Sequence, residues 1–152
     1  MADQHLVFIT SCAPGDAGAI TAFNLDVGTG ALAALNRYAD VENPFFLALS
    51  PDRKVLYSTH VPGDFESDPG YVAAFEIGAA GELRKINEQL ANGTTTCYVD
   101  IDPSGQAVVV ANYSSGSVGS YPVQADGALG EMVSFMQHAG ASMINVARQE
   151  AA

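Results

Sequence analysis

The sequence predicts an all-β chain built from four-stranded antiparallel β-propeller blades. Three observations predict it: short apolar runs divided by turn residues, self-similarity at an offset of 52 residues, and no helix-period segment of ten or more. With 152 residues, 48% hydrophobic content and 15% charge, the chain is large enough to bury a core.

In chain order the predicted strands cover residues 6–11, 19–25, 31–38, 45–49, 55–60, 71–77, 83–89, 97–101, 107–112, 117–123 and 129–136. Each is β-branched or alternating in character and is bounded by Gly, Pro, Asp or Ser. The segment Ser50-Pro51-Asp52-Arg53-Lys54-Val55-Leu56-Tyr57 aligns with Asp102-Pro103-Ser104-Gly105-Gln106-Ala107-Val108-Val109. In both, proline presets the first central φ of a type I turn, and Ser or Asp leads it. Gly105 adds the expected fourth residue, a feature Arg53 lacks.

A second marker repeats three times. Phe23, Phe75 and Tyr121 end apolar strands, and Gly30, Gly81 and Gly127 precede Leu32, Leu83 and Leu129. The first copy has three strands and the next two have four each. The expected division is a blade lacking its inner strand over 5–40, a second blade over 44–91, a third over 95–137 and a tail over 138–152. Propellers close with about four to eight such units. Two and three-quarter blades leave strand edges open, which invites self-association. A small β-sandwich of about ten strands is the competing fold, because short regular strands suit it too; the 52-residue offset argues against it.

Acidic residues outnumber basic ones 17 to 6, for a net charge of −11, so nucleic acid and anionic membrane surfaces are not expected partners. The start lacks a basic region, and no run approaches the roughly 18 apolar residues of a span. A cytoplasmic address follows. Cys12 and Cys97 have no Cys-x-x-Cys partner and are expected as free buried thiols.

The segment Val109-Val110-Ala111-Asn112-Tyr113-Ser114-Ser115-Gly116-Ser117-Val118, followed by Asp126-Gly127-Ala128-Leu129-Gly130, resembles the seven-bladed propeller lactonase family. That family includes 6-phosphogluconolactonases and 3-carboxymuconate cyclases. Asn43-Pro44-Phe45-Phe46-Leu47-Ala48-Leu49-Ser50-Pro51 and the stretch from His138-Ala139-Gly140 to Arg148-Gln149-Glu150 also resemble family segments. The resemblance implies a seven-bladed ring of which this chain covers under half. It also implies an active-site histidine in a Gly-Pro-His-x-His stretch, where this chain has Ala151-Ala152. Thr96-Cys97-Tyr98 stands where relatives often show Pro-Cys-His, and Thr59-His60 where they often show Asn-Glu.

Opening an anionic lactone needs a cation for the phosphate or carboxylate, a group to place water, and donors for the developing oxyanion. By the resemblance, Arg148 and Glu150 are the catalytic candidates, and Asn112, Tyr113 and Gln149 the substrate-binding ones. Arg53, Lys54, Arg84 and Lys85 read as surface, and His5, His60 and His138 as structural. Asp64, Glu66 and Asp68 lack the loop pattern of a calcium hand. No metal and no cofactor is expected. The expected partner is a small anionic lactone or sugar acid. Alternatives are lactone formation from a carboxymuconate, and a non-catalytic propeller fragment that self-associates.

Overall fold

The computed structural model describes residues 4–140 as eleven strands in three antiparallel sheets. The first sheet holds β1 (Gln4–Ser11), β2 (Ala19–Asp26) and β3 (Leu32–Tyr38) in the order β1-β2-β3, with a short 3-10 turn at Gly15–Ala17. The second runs β4 (Leu47–Leu49), β5 (Val55–His60), β6 (Pro69–Ile77) and β7 (Leu83–Thr94), in chain order from inner to outer edge. The third repeats that order with β8 (Thr96–Ile101), β9 (Ala107–Asn112), β10 (Ser117–Pro122) and β11 (Ser134–Gln137).

Alternation along the strands builds the sheet-to-sheet packing. Side chains two apart share a face, so Val55 and Tyr57 of β5 point to the third sheet while Leu56 points to the first. The seam between the second and third sheets buries Val55, Tyr57, Val72, Ala74, Val99, Val108, Val110, Tyr121 and Leu129. Ile20, Val41, Leu56, Ala73 and Phe75 fill the seam between the first and second, where Tyr38 meets Phe75 edge-on at 5.1 Å. Buried phenols are tied down: Tyr57 donates to the Gly127 carbonyl at 3.1 Å, and Tyr121 to the Leu90 carbonyl at 2.8 Å.

The two Pro turns repeat in detail. Arg53 N–H donates to the Ser50 carbonyl, and Gly105 N–H to the Asp102 carbonyl, both at 2.8 Å. Arg53 adopts φ +59°, the left-handed conformation that Gly105 takes at +74°. Arg53 therefore makes the turn without glycine, at a steric cost.

The structure departs from the expected strands chiefly in two places. β7 runs on to Thr94, so the outer strand of one sheet leads directly into β8 of the next. The last strand begins at Ser134 rather than near Leu129. Between them Leu129 makes only an isolated bridge to Val123, and Gly130 and Val133 donate to the Pro122 and Ser120 carbonyls outside any ladder. Cys12 is exposed in the loop after β1 and Cys97 is half-buried, so both are free but neither is a fully buried thiol.

Candidate functional site

The sheets have two unlike ends. One carries the tight turns at residues 50–54, 78–82, 102–106 and 124–128. The other carries the loops at 12–18, 61–68 and 113–116 and the corners where one sheet passes into the next, at Asn43 and Thr95. Asn112 and Tyr113 lie at this second end, and their roles divide.

Asn112 is 3% exposed and faces inward. Its side-chain amide donates to the Ala91 carbonyl at 3.1 Å and to Ser117 Oγ at 2.9 Å, and its Oδ1 accepts from Thr96 Oγ1 at 2.6 Å. Both donors are thus engaged, one with β7 of the second sheet and one with β10 beside it, so the Asn112 amide ties the two sheets together. Tyr113 is 69% exposed, and its backbone N–H donates to the Thr95 carbonyl at 2.9 Å. Of the two, only Tyr113 offers its side chain to solvent. Arg148, Gln149 and Glu150 lie outside the described residues.

His60 holds the position in β5 that Asn112 holds in β9, 52 residues on. It is 5% exposed, stacks on Tyr71 at 5.7 Å and places Nε2 3.4 Å from Glu88 Oε2. Glu88 also takes a contact from Lys85 Nζ at 3.2 Å. His60 Nδ1 closes no hydrogen bond among the described residues. Burial pushes the imidazole pKa below its ordinary value, against the opposing pull of Glu88. The pair spans β5 to β7, so no sequence spacing announces it. It appears only once Ser58 is set opposite Ala73 and Ala73 opposite Glu88.

The carboxylates at 64–68 cap their own loop. Asp64 Oδ1 accepts from the Glu66 and Ser67 N–H groups, and Asp68 Oδ2 accepts from Asp64 N–H. These bonds hold the Asp64 pKa below the usual carboxylate range. Among the described residues no cluster of three or more His, Cys, Asp or Glu is placed to hold a metal ion.

The family model for the lactonases described as "Lactonase, 7-bladed beta-propeller" matches residues 6–152. The chain belongs to this family. A 6-phosphogluconolactonase of Bacillus subtilis is 34% identical over 138 residues, which is 90% of this chain and 38% of the relative. A crystal structure from Bacteroides fragilis, named as a candidate 6-phosphogluconolactonase, superposes at TM-score 0.84 with 29% identity, covering 99% of this chain and 40% of that one. A periplasmic gluconolactonase of Pseudomonas aeruginosa superposes at 0.75 with 25% identity, covering 89% and 38%. The chain thus spans about two fifths of the length of these lactonase relatives.

On this partial lactonase propeller the inner rim at the corner end is aromatic. Phe46 lies against Tyr98 with ring centroids 4.7 Å apart, and Phe45 against Phe65 at 5.2 Å. The described cations have other partners. Arg37 donates to the Asp16 and Gly18 carbonyls, Lys54 faces Asp52, Arg84 pairs with Glu76 and Lys85 with Glu88, while Arg53 sits in its turn. A cavity of about 670 Å³ opens at the opposite end, between Asp52, Lys54, Glu76, Arg84 and Asp126. Lys54 pairs with Asp52 and Arg84 with Glu76, and Asp126 adds a carboxylate. No helix among the described residues is long and apolar enough to cross a membrane.

Proposed function

We propose that the chain forms part of a propeller lactonase that opens a sugar-acid lactone such as 6-phosphogluconolactone. The observation that carries this reading is the family match over residues 6–152 together with 34% identity to a 6-phosphogluconolactonase. In the reaction, water adds to the ester carbonyl, the ring C–O bond breaks, and the leaving alkoxide takes up a proton, giving the open acid. Arg148 would hold the substrate anion, Glu150 would assist the proton transfer, and Tyr113 and Gln149 would contact the ring. A net charge of −11 repels an anionic substrate at long range, so a local cation is required, and Arg148 is the candidate. A cytoplasmic address belongs to the same reading, supported by two free cysteines; cell fractionation tests it.

The test is lactone hydrolysis, followed as acid release from 6-phosphogluconolactone and corrected for spontaneous opening, with Arg148→Ala beside the parent chain. Turnover that the variant loses supports the assignment. Turnover unchanged in the variant removes Arg148 from the site, and none from a folded sample removes lactone opening by this chain on its own.

One observation favours a second reading, self-association of the chain. β1 is an eight-residue edge strand, Gln-His-Leu-Val-Phe-Ile-Thr-Ser, without Pro, Gly, Lys, Arg, Asp or Glu. Such an edge lacks the usual guards against pairing with another chain. Sedimentation velocity of the parent and of Ile9→Lys tests it: a dimer that the lysine dissolves supports edge pairing, and a monomeric parent rejects it.

A further inference from the structure

We propose that the inner rim of the second and third sheets is a ring-stacking subsite for the C–H face of a neutral sugar ring. This rests on the lactonase reading and adds what part of the substrate the rim would take.

Phe46, just before β4, and Tyr98, within β8, occupy equivalent places 52 residues apart. Their rings touch at 4.7 Å, yet Phe46 is 39% and Tyr98 43% exposed. Aromatic rings of the seams behave differently: Phe75 is 1% and Tyr121 0% exposed. Phe46 keeps its open face although the third sheet is packed beside it, so this position stays accessible within the array. Phe45, 43% exposed and set against Phe65, extends the aromatic surface along the rim.

The backbone beneath these rings is fixed. Thr59 Oγ1 accepts from Phe46 N–H at 3.1 Å, the Phe46 carbonyl accepts from Thr59 N–H at 3.0 Å, and the Phe45 carbonyl accepts from Thr10 Oγ1 at 3.2 Å. The neighbouring corner is held at a cost. Thr95, β-branched and 8% exposed, sits at φ +53° with Oγ1 2.7 Å from Ser114 Oγ. Strain of this kind persists only where the surroundings over-determine it, and it gathers at binding sites. A rigid aromatic surface loses little freedom when a ligand settles on it.

The chemistry selects the ligand. An aromatic face is negative, and the C–H bonds of a pyranose or lactone ring are polarised positive by the oxygens beside them, so the two stack. The side chains of Arg37, Lys54, Arg84 and Lys85 engage carbonyls or carboxylates, and Arg53 lies in the 50–54 turn at the opposite end. The subsite therefore reads the ring and is indifferent to a phosphate or carboxylate.

Saturation-transfer NMR on the 152-residue chain tests this with methyl β-D-glucopyranoside as a stable neutral ring and sodium gluconate as its open-chain counterpart. Saturation of the pyranoside ring protons is expected, with a loss of about three-fold or more in Phe46→Leu/Tyr98→Leu and retention in Tyr98→Phe. Melting curves establish that each variant is folded. Transfer unchanged in the double leucine variant, equal transfer to gluconate, or none to the pyranoside overturns the proposal. Lactone hydrolysis is scored separately, so pyranoside binding without turnover counts against the lactonase reading alone.

Discussion

His60 Nε2 lies 3.4 Å from Glu88 Oε2 across three strands of one sheet, while the opposite edge of the same imidazole is buried without a hydrogen bond among the described residues. The groups around it are Glu88 and Lys85 on β7, Tyr71 on β6, and the Ser58 backbone on its own strand. A ring held neutral by burial binds fewer protons folded than unfolded between its two pKa values, so stability rises with pH there. Its contribution is present above the ordinary pKa of about 6.5 and is lost as pH falls toward the lowered folded value. Urea unfolding at pH 7.5 and 5.5 should show a loss on acidification, at most about 1.4 kcal/mol per pH unit from this one group. His60→Asn should flatten that slope; an equal slope in both proteins would discard His60 as its source.

Asn112 on β9 ties together β7, β8 and β10, and its removal takes away the acceptor of the buried Thr96 hydroxyl and a donor to the Ala91 carbonyl. Asn112→Ala should cost about 2–3 kcal/mol by denaturant titration. A loss under about 0.5 kcal/mol would show that water replaces the amide readily.

Arg53 should be improved by glycine. Relief of a left-handed φ is worth about 1–2 kcal/mol and the added freedom of the unfolded chain takes back part of it, so Arg53→Gly should raise stability by up to about 1 kcal/mol. Gly105→Ala should move the midpoint the other way. Equal melting temperatures for Arg53→Gly and the parent would mean the turn tolerates the side chain.

Alkaline titration should separate the tyrosines. Burial pushes the Tyr57 phenol up to about 12 and Tyr121 higher still. Both raised values stabilise the fold below pH 10, and that contribution disappears as pH rises through the folded values. Absorbance of phenolate between pH 10 and 11 should therefore report fewer than the six tyrosines of the chain, with the remainder appearing on unfolding. All six titrating together near 10 would contradict the buried placement.

The blade pattern was legible because its signals are local: period-two apolar runs, Pro turns and a repeated Gly-x-Leu step. Asn112 was expected to contact substrate; strand parity carries it inward with the core residues Val108 and Val110, a signal that the family likeness outweighed. The pairing of His60 with Glu88 was not. It depends on two strand registers and on the irregularity between Ala74 and Phe75, which shifts the residues of β7 relative to β6. The late start of the final strand was hidden because Leu129 keeps its core place while the backbone after it leaves the ladder. Phe46 and Tyr98 were each visible in the sequence, but their contact needed the inner strands of two sheets to lie side by side.

Equivalent stations one repeat apart make the chain its own control. His60 and Asn112, Asn43 and Thr95, and Phe46 and Tyr98 are twins that share a backbone address and differ in side chain. Exchanging the members of such a pair changes neither composition nor net charge. Any difference the exchange makes must then come from the surroundings of each station, which turns the repeat into a ready-made experiment on context.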